Sequence, residues 1–438
     1  MNKHILIVGG GYVGLYTALR LQHKLRTELR DGEVRITIID PHSYMTYQPF
    51  LPEAAAGNLS PRHVVAPLRR VLPKVRVLNG TVTAVDHGER SVTFQPSKGE
   101  PRQIAYDVIV MAAGSISRTL PIPGLIDIGI GFKTVGEAIA LRNRVLHLLD
   151  VAESTDDVEA RRRALTFVVV GAGFAGVEAL AELEDMAKHS TRYYRNITPA
   201  DIRWVLVEAT NRVLPEVGPE MGKWTLEQLR ERGIEVKLDT RLESCEGGHV
   251  VLSDGTEFDA ETLVWTAGVK PSPVVNDGGL PLDERGRIKT TTRLTVAGVT
   301  DAFAAGDAAG VPDVTNPGQY CAPNAQHAVR QAKVLADNLV RHLRGQDLVD
   351  YRHKYVGSVA GLGLHQGVAN VYGIKLRGFP AWFMHRTYHL SRVPTLNRKV
   401  RVVVDWTLAL FFKRETISLG EMEHPRDGFR AAVATTRR

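Results

Sequence analysis

With 438 residues, 44% of them apolar and 24% charged, the chain has the composition of a soluble globular protein and the length for two to three domains with a sizeable core. Its net charge of +7 suits an anionic ligand such as a dinucleotide, or an anionic lipid surface; no motif that reads nucleic acid accompanies it, and no nucleic-acid partner is expected. Two cysteines, Cys245 and Cys321, exclude a disulfide framework and a C-x-x-C redox pair.

The first pattern begins at the N-terminus, and no signal peptide is expected. Ile5 to Val8 is a short apolar strand. Gly9, Gly11 and Gly14 follow as G-x-G-x-x-G, and Leu15 to Leu25 reads as a helix. Arg35 to Ile39 is a second strand, closed by Asp40. This is the start of a βαβ unit that binds a dinucleotide. Gly9 permits the tight turn, Gly11 lets backbone approach a pyrophosphate, and Gly14 lets helix and strand pack closely. The phosphates meet the positive end of the helix, where free N–H groups point outward. Asp40 accepts hydrogen bonds from a ribose, a few residues later than the usual spacing.

The same grammar returns further on. Leu165 to Val170 is a strand, Gly171, Gly173 and Gly176 form the turn, and Val177 to Ala187 continues as helix. Ile202 to Val207 is the next strand, ending in Glu208. DVIVMAAGS (107–115) and ETLVWTAGV (261–269) also correspond, as apolar strands ending in Ala-Gly. Three features thus recur in one order, about 150 to 170 residues apart, as in two domains of related design. The fold class expected is α/β, with two Rossmann-like dinucleotide-binding domains. One site suits FAD and the other a nicotinamide. Glu208 bonds a 2′-hydroxyl and repels a 2′-phosphate, which favours NADH over NADPH; Arg212 nearby weakens that preference.

Residues 301 to 310, DAFAAGDAAG, end an apolar segment with Ala-Gly-Asp. Asp307 is placed to bond a ribityl hydroxyl or a water near the phosphates. PNAQHAVRQAKVLADNL (323–339) then reads as a long helix capped by Asn324. Its N-terminus, aimed at a flavin, stabilises the negative charge of reduction.

The two-dinucleotide plan, with GAGFAGVE, AAGD and NAQHA, resembles the type II NADH dehydrogenases, single-subunit NADH:quinone oxidoreductases with FAD that sit on the membrane surface. The resemblance runs over nearly the whole chain. It implies that Gly9, Gly11, Gly14, Asp40, Gly114 and Asp307 bind FAD. Gly171, Gly173, Gly176 and Glu208 bind NADH, and Ala325 and Gln326 lie beside the flavin ring. It further implies catalytic positions for Glu178, Gln326 and Lys375: Glu178 near the nicotinamide and quinone, Lys375 as a basic residue near the ring. Pro49, Phe50 and Leu51 fall where a loop passes the flavin. Arg330 stands where members often carry a further Gln, with Gln331 next to it. Glu178 is a candidate to relay a proton to the quinone, and His327 is a second, weaker one. No metal site is expected. Menaquinone and ubiquinone are not distinguished.

Residues 377 to 414 alternate aromatics (Trp382, Phe383, Tyr388, Trp406, Phe411, Phe412) with Arg and Lys, and Pro394 splits them in two. Each piece is expected to be an amphipathic helix in the bilayer interface, aromatics toward lipid and basic groups toward anionic head groups. No apolar run reaches the roughly 18 residues of a spanning helix. The expected location is peripheral, on the cytoplasmic face of the cell membrane, touching its inner leaflet and with room for a homodimer through the C-terminal region. The expected layout is an FAD domain over 1–120 and 291–350, a connecting helix and linker over 121–163, an NADH domain over 164–290 and a docking or dimerisation region over 351–438. Three alternatives stay open: a soluble flavin-dependent NADH reductase for an iron–sulfur protein, a sulfide:quinone oxidoreductase-like enzyme, and an NADH-responsive binding protein. Cysteine placement counts against the second, since Cys245 sits in a hairpin and Cys321 alone cannot form a persulfide relay.

Overall fold

The computed structural model describes residues 2–276, 279–353, 357–412 and 414–418. Parts of the regions expected at 164–290 and 351–438 therefore lie outside the described residues. The chain divides into two compact units. The first comprises Met1–Thr46, Val65–Arg118 and Val269–Tyr355; the second comprises Tyr47–Val64, Thr119–Gly268 and Val356–Arg438.

The first unit is built on a seven-stranded sheet, in the order Ala302–Ala304, Val108–Met111, Lys3–Val8, Val34–Asp40, Arg76–Asp86, Ser91–Pro96, Arg102–Ala105. Its first five strands are parallel and the last two extend it as antiparallel strands. The parallel strands are almost continuously apolar because both faces are covered: Ile5 to Val8 and Val108 to Met111 are all buried. Two helices lie together against it, Tyr12–Lys24 and Ala325–Leu343, joined by a hydrogen-bonded pair, Arg20 Nε to Asp337 Oδ1 at 2.9 Å.

The second unit holds a five-stranded parallel sheet, in the order Gly129–Gly131, Thr262–Trp265, Thr166–Val170, Arg203–Val207, Glu235–Lys237. The helix Phe174–Ser190 is buried over most of its circumference. That explains its Ala- and Leu-rich sequence and makes its buried acids conspicuous. Leu242–Ser244, His249–Leu252 and Glu257–Asp259 form a three-stranded antiparallel sheet. Cys245, beside it, is part of an apolar cluster with Val168, Val205 and Leu263. Residues 47–64 belong to this unit, where the short helix Leu51–Ala55 packs on Phe174–Ser190 and on Val135–Ser154.

The C-terminal part of the second unit starts with a three-stranded antiparallel sheet, Gly357–Gly361, Gly367–Val371 and Ile374–Arg377. Two helices follow, Phe379–Arg392 and Leu396–Phe411. Pro394 separates them, and Thr395 caps the second by accepting the Arg398 N–H at 3.3 Å.

Both fingerprint helices start earlier than their apolar pattern suggests, at Tyr12 and Phe174 instead of Leu15 and Val177. The third glycine of each turn lies inside the first helical turn, against the strand end, so the apolar run begins only after the helix has.

Candidate functional site

The two glycine turns share one geometry. Gly9 and Gly171 have φ of +105° and +104°, a conformation that L side chains rarely adopt. A Cβ on Gly14 would overlap the carbonyl oxygen of Gly9, and one on Gly176 that of Gly171. The middle glycines, Gly11 and Gly173, face open space, with nothing within 4 Å of a Cβ built on either. They are the N-caps of their helices; neither helix has a side-chain cap or an acid in its first turn. Each turn therefore offers free N–H groups and the positive helix end to an incoming anion, with clear access for a pyrophosphate.

The strand-end acids are held alike. Asp40 Oδ2 accepts the Gly10 N–H at 2.6 Å, and its Oδ1 accepts the His42 N–H at 2.7 Å. Glu208 Oε2 accepts the Ala172 N–H at 2.7 Å, and its Oε1 accepts the Thr210 N–H at 2.9 Å. Gly10 and Ala172 occupy the same slot of G-x-G. Burial pushes the Asp40 carboxyl up, and the two backbone N–H bonds oppose it. Both acids face their turn as acceptors, the arrangement a ribose diol needs.

The remaining expected nucleotide residues of the first unit are close in contact terms. Gly114, with φ +66°, accepts the Ser272 N–H at 3.1 Å and has open space in front of it. Asp307 Oδ2 accepts the Ser115 hydroxyl at 2.5 Å. Ala325 and Gln326 open the long helix, and Asn324 Oδ1 caps it by accepting the His327 N–H at 2.9 Å. Gln331 has a role that sequence reasoning left unassigned: it is buried, and its Oε1 accepts the N–H of Gly306 in Ala-Gly-Asp at 2.7 Å. The signal available was its place on the apolar face with Ala328, Ala332 and Leu335. Arg330 turns the other way and donates to the Gln326 carbonyl at 3.1 Å. His327 is buried with Nδ1 2.8 Å from the Tyr351 hydroxyl, and burial lowers its pKa. These residues fit a dinucleotide: free helix-end donors, an open glycine and acceptors at the ribose and linker positions.

In the second unit Glu178 and Glu182 lie one helical turn apart on Phe174–Ser190. Glu178 Oε1 accepts the Gly361 N–H at 2.8 Å, and Nε2 of His385 stands 3.1 Å from the same oxygen. Glu182 Oε2 accepts from Asn58 Nδ2 at 2.8 Å, with Arg414 Nη2 3.9 Å away. Glu53 Oε2 accepts two donors, Arg386 Nη2 at 2.8 Å and Trp406 Nε1 at 2.7 Å. The Arg386 guanidinium lies over the rings of Trp382 and Trp406, 4.2 and 4.8 Å from their centroids. Glu53, Glu178, Glu182 and His385 line one small cavity. About 10 Å³ of it is open to the centre of a water molecule, close to the size of a single water site.

The electrostatics of this cluster are unusual. Burial and the Glu53 charge push the Glu182 carboxyl up to about 7, against the pull of Arg414. Burial works against charge on His385, but its contact with Glu178 outweighs that and its pKa is raised. Burial, then the charge of His385, drives His389 well below the ordinary imidazole range. Its ring stands 4.6 Å from that of His385, and its Nδ1 lies 3.2 Å from the Tyr47 hydroxyl.

Lys375 takes a different place. It lies on the strand Ile374–Arg377 and pairs with Glu220, which Arg377 also contacts at 2.7 Å. The pair is solvated, with side-chain exposures of 44% and 55%. Pro49 and Phe50 form a 3-10 turn in the second unit, where Phe50 packs edge-on against Trp406 at 5.6 Å. Cys245 and Cys321 are both buried and free.

Against known proteins, the sequence model of the pyridine nucleotide-disulphide oxidoreductase family matches residues 3–332. A type II NADH:quinone oxidoreductase of Staphylococcus aureus is 33% identical over 394 residues, 88% of this chain and 94% of that protein. One of Mycobacterium tuberculosis is 30% identical over 426 residues, 93% of this chain and 87% of that protein. The solved structure of NDH2 from Plasmodium falciparum in complex with NADH superposes with a TM-score of 0.87 at 19% identity, covering 95% of this chain and all of that one, a likeness of fold. The paired turns, their matched acids and these relatives together place the chain in the type II NADH:quinone oxidoreductase family, within the pyridine nucleotide-disulphide oxidoreductases.

Proposed function

We propose that the chain is an FAD-dependent NADH:quinone oxidoreductase that passes two electrons to a membrane quinone without pumping protons. The observation that carries this reading is the duplication of the nucleotide turn, complete to the acid-to-backbone bond, in a chain of this family. Gly9, Gly11, Gly14, Asp40, Gly114 and Asp307 would hold FAD. When bound, it supplies the acceptance of hydride and the delivery of electrons that no side chain can provide. Gly171, Gly173 and Gly176 bind the pyrophosphate of NADH, and Glu208 bonds its ribose and repels a 2′-phosphate. The Asn324 cap leaves the positive end of the Ala325–Leu343 helix, with Ala325 and Gln326, available to negative charge on a reduced ring. Glu178 moves a proton toward the quinone, held by Gly361 and next to His385.

The C-terminal helices support a peripheral membrane position. Leu396, Val400, Val404, Leu408, Leu410 and Phe411 are exposed on one helix, and Phe379 and Phe383 on the other. Exposed apolar side chains gathered on two neighbouring helices are the kind of surface that marks a membrane or partner contact. Among the described residues no helix is long and apolar enough to cross a membrane. In this reading the helices lie on the inner leaflet with Arg398, Lys399 and Arg401 near head groups. The expected role of the aromatics needs correction: Trp382 and Trp406 turn inward to Arg386 and Glu53, and aliphatic side chains with Phe379, Phe383 and Phe411 form the outer face.

The test is a steady-state assay of the purified chain with NADH or NADPH, with and without a short-chain quinone, beside flotation with anionic vesicles. Rapid oxidation of NADH that requires the quinone, and vesicle binding, are expected. Fast turnover with an iron–sulfur protein and none with quinone would overturn the reading.

A further inference from the structure

Around the small cavity in the second unit stand three carboxylates, Glu53, Glu178 and Glu182, each nine-tenths or more buried. Two guanidiniums face them, Arg386 on Glu53 and Arg414 near Glu182. The nearby Arg232 offers no relief, because it is shared by Glu184 and Asp185. Among the described residues the cluster is thus one positive charge short. A low-dielectric interior does not tolerate an uncompensated carboxylate, so the deficit is met by a bound proton. Only side chains at the cavity can carry it. His385 stands at ion-pair distance from Glu178, and Glu182 has one hydrogen-bond donor, Asn58, and a distant guanidinium. Glu53 is already satisfied by two donors.

We propose that this cluster is a proton store: one exchangeable proton, shared between His385 and Glu182 across the small cavity, waits in the interior and leaves through Glu178 when a quinone is reduced. The inference rests on quinone reduction as proposed above. The stoichiometry requires such a proton. NADH, one proton and a quinone give NAD and a quinol; hydride brings both electrons and one hydrogen, so one further proton comes from the medium per turnover. An O–H bond forms on the quinol oxygen as the store's N–H or O–H bond breaks, and the proton taken up from the medium refills the store. The Glu182 share of the proton is held below a pH of about 7 and given up above it, while the contact with Glu178 favours the proton on His385. The groups that face the pair and set this balance are Glu53 from Leu51–Ala55, Arg386 and His389 from Phe379–Arg392, Arg414 from the following segment and Asp185 on the acids' own helix. His389 is held neutral beside His385, so it does not compete for the charge.

The experiment is a stopped-flow comparison of the full-length, FAD-loaded protein with its Glu182→Gln and His385→Gln variants, following two half-reactions against pH: bleaching by NADH, and reoxidation by a short-chain quinone. In the unaltered protein reoxidation slows as pH rises through about 7. In Glu182→Gln that limb disappears and reoxidation falls by on the order of 10²-fold, while bleaching by NADH is unchanged. Variants that keep the original rate and pH profile overturn the store and leave quinone reduction standing. An unaltered protein whose reduced flavin ignores quinone overturns both. A measurement independent of variant folding is the infrared difference spectrum of the unaltered protein. A protonated-carboxyl C=O band must be lost when quinone reaches the reduced enzyme, and its absence overturns the store.

Discussion

Glu208 Oε2 accepts the backbone N–H of Ala172 at 2.7 Å, the counterpart of the 2.6 Å bond from Gly10 to Asp40. The carboxylate is thereby fixed beside the glycine turn, where the proposed reading puts the ribose of NADH. Glu208→Gln keeps an acceptor for Ala172 and removes the charge. The preference for NADH over NADPH in kcat/KM should fall by roughly tenfold to a hundredfold, the worth of a charged hydrogen bond. Steady-state kinetics with both nucleotides measures it.

Gly14 and Gly176 separate the two nucleotide sites experimentally. Each leaves no space for a Cβ against a carbonyl oxygen of its own turn. Gly14→Ala should yield protein that purifies without flavin absorbance. Gly176→Ala should remain yellow but lose bleaching by NADH at concentrations that saturate the unaltered protein. Absorbance of the purified variants and an NADH titration decide this.

Two ion pairs differ in what they contribute. Arg386 and Glu53 have side-chain exposures of 11% and 5%. Removing Glu53 leaves a buried guanidinium without its anion, so Glu53→Ala should cost about 3 to 5 kcal/mol. Lys375 and Glu220 are solvated, at 44% and 55%, and Lys375→Ala should cost less than about 1 kcal/mol. Denaturant or thermal unfolding of both variants gives the comparison.

The raised pKa of Glu182 has a consequence for stability. The folded protein keeps a proton up to about 7 that the unfolded chain releases near 4.5. Stability contributed by that proton is fully present below the lower value and is lost as pH rises through the upper one. Glu182→Gln should match the unaltered protein near about pH 4 and exceed it near about pH 8, by up to roughly 3 kcal/mol. Thermal midpoints across pH for the two proteins measure this difference, and parallel curves would speak against it.

The nucleotide turns were legible in the sequence because their requirements are local. A positive φ, a close approach and a strand-end acid all fall within one βαβ unit, and Gly9 to Asp40 and Gly171 to Glu208 carry them in order. The helix starts at Tyr12 and Phe174 were misplaced because the apolar pattern reports packing and not hydrogen bonding. The buried cluster was largely illegible. Glu178 and Glu182 share a helix face, but Glu53, His385, Arg386, Trp406 and Arg414 come from segments with no fixed spacing between them. Trp382 and Trp406 looked like interface residues for the same reason: aromatic alternation does not say which side a guanidinium is on. Gln331 was passed over beside Arg330, since only the helix phase separates the residue that reaches Gly306 from the one that points away.

The central claim is that one polypeptide binds FAD and NADH through its two turns and passes the electrons to a quinone. The most direct measurement is the flavin spectrum of the purified protein under anaerobic conditions. The account predicts a yellow protein that NADH bleaches, NADPH bleaches poorly, and a short-chain quinone restores. A colourless protein that takes up no FAD, or a flavin that NADH leaves oxidised, would contradict it.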